Sequence, residues 1–187
     1  MATDWDKRYR DGFCAGAHEV HGLVERFSAL MPPGLPVVDI AMGQGRDLLF
    51  LAGKGFSVYG LERSGEAINL VRKAMEHDHR QISMIRGDAL HLPFKTAAVG
   101  TVIVFYFLVR EIMSDLVRLL APGGLLLYET FLKRQNIMDG PRNPLYLLED
   151  GELLGYFSRL ELLLYEEGIF TAHGKRRALA RYAGRKR

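Results

Sequence analysis

Cys14 is the chain's single cysteine among 187 residues, so no internal disulfide can form, and the composition points to a reducing, cytoplasmic setting. Long apolar runs are missing too. Residues 100–109 are uncharged but span only ten positions, about half of what a helix needs to cross a bilayer, and read as a buried strand running into a loop. The opening Met-Ala-Thr-Asp-Trp-Asp-Lys-Arg contains no apolar segment of the signal-peptide kind. There are no internal repeats and no low-complexity linkers. The six histidines form no metal motif: His18 and His21 are three apart rather than four, and His77 and His79 fall at a helix end where water solvates them. No metal is therefore expected. No Ser-His-Asp or Cys-His set can be read either, so no catalytic residue is assigned.

What is present is an ordinary globular balance, with 48% hydrophobic and 25% charged residues, in a length that suits one domain with one substantial core. The pI near 9.0 invites a nucleic-acid reading. The basic excess is local, however. Residues 174–187 hold seven basic residues and no acid, and the rest of the chain has 18 basic against 22 acidic residues. A basic terminal strand reads as a solvated edge, where charge discourages aggregation. No aromatic–basic interleaving accompanies it, so nucleic acid is not the expected partner.

Residues 19–31 have helical periodicity (Val20, Leu23, Val24, Phe27, Leu30) and stop at Pro32-Pro33-Gly34. Strands and helices then alternate: strand 36–41, helix 46–53, strand 57–62, helix 65–78, strand 81–86, strand 99–105, helix 112–120 and strand 125–131. An irregular stretch over 133–147, a helix over 149–156 and closing strands at 160–166 and 177–182 follow. The alternation predicts an α/β fold, a doubly wound Rossmann-like sheet, mostly parallel, with helices on both faces.

The motif that points to function is Asp39-Ile-Ala41-Met-Gly43-Gln-Gly45-Arg46, a buried strand, a glycine turn and a helix start. Glu62 follows seventeen residues after Gly45 at the end of the next apolar strand. Glycines let backbone approach a ligand, and a carboxylate accepts ribose hydroxyls. The pattern departs from the dinucleotide form. Leu48 stands where a third glycine belongs, and Asp39 would repel a pyrophosphate. A ribose-bearing, cationic cofactor fits better than a nicotinamide dinucleotide. A valine at Gly45 is expected to fill the space such a cofactor enters.

These residues resemble motif I of class I S-adenosylmethionine-dependent methyltransferases, and the likeness continues in order. Residues 58–64 are similar to the ribose-binding segment. Gly87-Asp88-Ala89-Leu90 with Leu92-Pro93-Phe94 is similar to the adenine-binding segment, and residues 119–127 to the helix-turn-strand that follows. Trp5-Asp-Lys-Arg8-Tyr9 resembles the tellurite-resistance and thiopurine methyltransferase-like subgroup. Two positions depart from the family pattern: Met42, where a small residue or cysteine is commoner, and Glu62 in place of Asp.

The resemblance implies S-adenosylmethionine as cofactor, a last strand running antiparallel, and a single methyltransferase domain over 1–187. Within it, residues 1–31 would be an N-terminal lid and helix, 36–131 the cofactor core, and 132–187 a substrate loop and closing hairpin. It implies cofactor contacts from Trp5, Tyr9, Asp39, Ala41, Gly43, Gly45, Arg46, Glu62, Arg63, Asp88, Ala89, Leu90 and Phe105. Arg8, Tyr106, Arg134, Asn136, Arg142 and Asn143 are acceptor-side candidates. The expected reaction is in-line methyl transfer to a small-molecule acceptor, with no membrane partner. Two other readings stand beside it: a non-catalytic cofactor-binding or RNA-associated module, and a nicotinamide-dependent oxidoreductase. Oligomeric state and acceptor atom are not legible.

Overall fold

The structure is a computed structural model that describes residues 4–13, 19–76, 82–139, 143–172 and 175–187. Cys14, His18, His77, His79 and Arg142 lie outside these residues. Among them, no helix is long and apolar enough to cross a membrane.

Among the described residues, seven strands form one sheet: β1 (Val37–Ile40), β2 (Val58–Glu62), β3 (Ile82–Arg86), β4 (Val99–Phe105), β5 (Leu120–Phe131), β6 (Glu161–Ala172) and β7 (Lys175–Arg185). Their order is β3-β2-β1-β4-β5-β7-β6. The first five are parallel, and β7 runs antiparallel between β5 and β6. The α-helices are α1 (Trp5–Arg10), α2 (Gly22–Phe27), α3 (Arg46–Gly53), α4 (Gly65–Ala74), α5 (Met113–Leu119), α6 (Asn136–Asp139) and α7 (Glu152–Tyr156).

Strand periodicity sorts the core into two layers. Val38, Ile40, Val102, Val104, Leu126 and Tyr128 pack on one face with Met113 and Leu116 of α5. Val37, Ile103, Leu125 and Leu127 pack on the other with α2, α3 and α4. Gly60 of β2 is required by that second layer, because a Cβ there would stand 2.0 Å from the Met42 sulfur. The large residue at position 42 is thus matched by an absent side chain on the neighbouring strand.

Several expected boundaries shift, each for a local reason. The N-terminal periodic segment is α-helical only from Gly22 to Phe27 and tightens to a 3-10 turn at Ser28–Leu30. Its start is set by His21, whose ring Nδ1 accepts the Leu23 N–H while its backbone N–H donates to Asp47 Oδ1. The helix expected over 65–78 ends at Ala74, where the Met75 N–H closes onto the last carbonyls. The helix read over 149–156 begins three residues late, after Gly151 at φ +79°. A 3-10 turn at Arg110–Ile112 takes the first position of the helix expected from 112. The strand expected from 125 is counted from Leu120, with a register break where Pro122-Gly123-Gly124 interrupts the pairing with β4.

The closing hairpin is larger than its sequence signal and corrects the reading of the basic end. β7 is an inner strand, with Ala178, Leu179, Ala180, Tyr182 and Ala183 buried. Arg181 bonds Glu129, Arg185 pairs with Glu161 at 4.0 Å, and Lys186 Nζ donates to the carbonyls of Val117 and Leu120. A chain cut after Arg181 would lose the register partners of Leu125 to Tyr128, so this is not a dispensable solvated tail.

Candidate active site

The carboxyl ends of β1, β2, β4 and β5 meet at one edge of the sheet, the place where open α/β sheets bind ligands. Ala41, Gly43 and Gly45 form the turn after β1, with φ values of +61°, +56° and +64°. The Ala41 and Met42 N–H groups donate to the Leu61 carbonyl and the Gly45 N–H to the Met42 carbonyl, so the turn is closed onto β2 and onto itself. Ala41 adopts this conformation despite its Cβ, which costs about 1–2 kcal/mol for an L-residue. Gly45 caps α3 without any side-chain hydrogen bond, leaving the amide end of that helix open to an anionic group.

The two glycines do different jobs. A Cβ on Gly43 would stand 2.9 Å from the Tyr9 hydroxyl, so α1 lies directly over the turn. A Cβ on Gly45 would instead meet the Val71 methyls at 3.1 and 3.3 Å. That direction is into α4, not into ligand space, so the expected effect of valine at Gly45 is corrected: it would disrupt helix packing.

Glu62 is 6% exposed and ties the turn to β2. Its Oε2 accepts the Gly43 N–H at 2.9 Å and its Oε1 accepts the Ser64 N–H at 2.8 Å. Asp39 is buried beneath the turn. Burial pushes its carboxyl well above the usual range, the charge of Asp47 adds to this, Arg46 opposes it, and Glu62 adds further. Arg46 contacts Asp47 at 3.7 Å at the start of α3.

The N-terminal helix is docked rather than loose. Asp6 accepts the Ser64 hydroxyl at 2.6 Å and the Glu66 N–H at 3.2 Å, at the amino end of α4. The Ser64 hydroxyl, then the Glu66 N–H, hold the Asp6 carboxyl below its ordinary value. Trp5, Tyr9 and Phe13 pack ring against ring, and the Arg8 guanidinium lies over Trp5 and Phe13. A cleft of about 260 Å³ opens between this helix and the ends of β2 and β3, lined by Asp4, Trp5, Asp6, Arg63, Ser64 and Arg86. In the neighbouring loop Asp88 forms a turn by accepting the Leu90 N–H; Ala89 is buried and Leu90 half-exposed.

Across the edge, after β4 and β5, lies a cluster that the sequence did not reveal. Glu129 is fully buried; it bonds the His21 ring Nε2 at 2.9 Å and accepts the Arg181 Nε–H at 2.6 Å. Burial opposes its charge, yet His21 and Arg181 outweigh that and hold its carboxyl below the ordinary value. The His21 ring stacks on Phe105 at 3.7 Å. Tyr106 follows at φ +54°, a strained conformation for an aromatic residue, held by its N–H to the Glu129 carbonyl. Its hydroxyl is buried beside Glu129 and, among the described residues, completes no hydrogen bond of normal geometry. Burial, then the Glu129 charge, raise its pKa and keep it protonated.

His21, read as unremarkable, is thus an anchor, and its signal was invisible because Glu129 lies 108 positions away. The other acceptor-side candidates divide. Arg134 is taken by Asp150 and Glu167, Asn143 caps a short 3-10 turn by accepting the Leu145 N–H, Asn136 opens α6, and Arg142 lies outside the described residues. Among the described residues, no three His, Cys, Asp or Glu side chains converge as metal ligands.

Residues 37–124 match the family model described as "Methyltransferase domain". A curated relative, hemagglutinin 1 of Eikenella corrodens, is 28% identical over 174 residues, covering 83% of this chain and 55% of the relative. The chain therefore spans about half the length of that relative. TehB from Haemophilus influenzae shares the fold with a TM-score of 0.79 at 21% identity, over 97% of this chain and 67% of TehB. A SAM-dependent methyltransferase of Methanosarcina mazei shares it with a TM-score of 0.72 at 18% identity, over 90% of this chain and 98% of that one. Residues 37–124 are therefore similar to a methyltransferase domain, and the parallel sheet with its antiparallel last strand shares the fold of solved S-adenosylmethionine-dependent methyltransferases.

Proposed function

We propose that the chain transfers a methyl group from S-adenosylmethionine to a small-molecule acceptor by in-line displacement. The observation that carries this reading is the Glu62 carboxylate, joined through the Gly43 N–H to the glycine turn. It offers remaining lone pairs to two ribose hydroxyls next to a turn that backbone alone can line. S-adenosylmethionine supplies a methyl group already activated on a sulfonium, so the protein's work is binding, alignment and exclusion of water. Asp39 and the amide end of α3 suit the ammonium and carboxylate of an amino acid, with Arg46 beside them. Trp5, Tyr9 and Arg63 border the nucleoside end, with the 88–90 loop as its other wall. Phe105 and Tyr106 supply an aromatic lining beside the methyl end of the cofactor, a surface that favours a cation before transfer.

In this reading residues 1–31 act as lid and helix, 36–131 as cofactor core and 132–187 as acceptor loop and hairpin. The test is differential stabilisation. S-adenosylhomocysteine should raise the melting temperature with the logarithm of its concentration above its Kd, and NAD should not. Equal or greater stabilisation by NAD would sink the proposal.

A further inference from the structure

Arg177 opens a different question. It lies near the start of β7, and among the described residues it makes no ion pair or hydrogen bond, while Arg134, Arg181 and Arg185 each reach a carboxylate. Its guanidinium stands 5.2 Å from the centre of the Tyr106 ring and 5.6 Å from that of Phe131. Those two rings are 5.3 Å apart, tilted by 35°, at the carboxyl ends of β4 and β5. A partly buried cation backed by two aromatic faces is held in place by packing and keeps its hydrogen-bond donors for something else.

We infer that Arg177, Tyr106 and Phe131 form the acceptor subsite and that the acceptor is an aromatic carboxylate. This rests on the methyl-transfer reading and adds the acceptor's chemistry to it. The guanidinium fork matches a carboxylate in two parallel hydrogen bonds, and the rings supply the face on which a flat acceptor lies.

The cofactor's own carboxylate is not the partner. β7 is three strands from β1 in the sheet, roughly 14 Å at the usual strand spacing, whereas the cofactor's amino-acid end is assigned to the turn after β1. Nor do the neighbouring groups compete for the anion's place. Glu129 is satisfied by His21 and Arg181, and the Arg181 guanidinium covers Phe170 at 3.9 Å. The same commitments leave no base poised to deprotonate an acceptor. The second His21 nitrogen faces the Leu23 N–H, and Glu129 has spent both oxygens on donors. A carboxylate needs no such base: one of its oxygens, already anionic, bonds the methyl carbon as the carbon–sulfur bond breaks, giving a methyl ester and S-adenosylhomocysteine.

The probes are benzoate and its neutral isostere benzamide, titrated calorimetrically into the full chain saturated with S-adenosylhomocysteine. Wild type should bind benzoate at least tenfold more tightly than benzamide. Arg177→Gln should reduce that preference to under twofold with S-adenosylhomocysteine affinity unchanged, while loss of the guanidinium's packing on the two rings lowers the melting temperature slightly. Arg177→Lys, which keeps charge but loses the fork, should fall between. Equal binding of the two probes, no benzoate binding, or a preference that survives Arg177→Gln would each overturn the assignment. Failure of the underlying reading registers separately, as wild type that does not bind S-adenosylhomocysteine before either probe is added.

Discussion

Replacing Glu62 by alanine separates a brace from a ligand, because this side chain has a measurable job before any cofactor arrives. Its carboxylate satisfies the N–H groups of Gly43 and Ser64, and Ser64 is 1% exposed. A hydrogen bond to a charged group contributes about 1.5–3 kcal/mol, and a buried donor left without a partner costs about 1–3 kcal/mol. Gly43 is only partly buried, so water replaces part of its loss, and the two effects overlap. The ligand-free Glu62→Ala protein should therefore be roughly 3 kcal/mol less stable than wild type by urea unfolding at neutral pH. Glu62→Gln keeps one carbonyl oxygen as acceptor but turns an NH₂ donor toward the other N–H, so it should recover less than half. Affinity for S-adenosylhomocysteine, measured by calorimetry well below the unfolding transition, should fall in both variants beyond what the folded fraction explains. A Glu62→Ala protein within 0.5 kcal/mol of wild type, a margin of the size of ordinary surface effects, would refute the brace. Normal stability loss with unchanged affinity would move the ribose elsewhere.

Ala41→Gly should stabilise the ligand-free protein by roughly 0.5–1 kcal/mol: relief of a left-handed alanine is worth about 1–2 kcal/mol, and the greater freedom of glycine in the unfolded chain takes back about half. A loss of stability in urea unfolding would show that the Ala41 methyl packs usefully. The pH dependence follows from Asp39, whose carboxyl is raised in the fold. Its stabilising contribution is complete below the ordinary carboxylate pKa and is lost as pH rises through the raised value, so wild type should lose stability relative to Asp39→Asn as pH increases from 5 to 8. Glu129, held low, acts with the opposite sign and only at acid pH, so it does not mask this trend. A stability difference between the two proteins that stays constant over that range would refute the sign.

Sequence periodicity located the cofactor end well because its determinants are local. Strand β4 and helix α3 fall at the expected residues, and the glycine turn and Glu62 lie where the alternation of apolar runs places them. Direction was harder to read. Gly43 and Gly45 look equivalent in the chain, and only the packing of α4 decides that one faces α1 and the other Val71. The acceptor end was poorly legible for a different reason. His21, Tyr106, Glu129, Arg177 and Arg181 come from four separated segments, and the arginines belong to a basic cluster that resembles a solvated edge until β6 pairs outside it. Charge density says nothing about strand order.

Strand parity explains why these distant residues arrive at one place. On β1 the side chains facing α2, α3 and α4 include Val37 and then Asp39; on β4 they include Ile103 and then Phe105; on β5, Leu127 and then Glu129. On β2 the same parity runs from Val58 through Gly60 to Glu62. In each strand the aliphatic or absent side chain comes first, and the aromatic or acid stands at or beside the carboxyl end. The apolar layer thus fixes the register, since a slip of one residue would turn a whole set to the other face and drive Asp39 and Glu129 among the apolar residues around α5. The cost of burying a carboxylate there is far larger than the cost of holding it at the sheet's edge, where turn amides, His21 and Arg181 can meet it. The pattern that makes the core specific is therefore the one that aligns the site. A polar residue moved two places along any of these strands would keep the face but lose the edge.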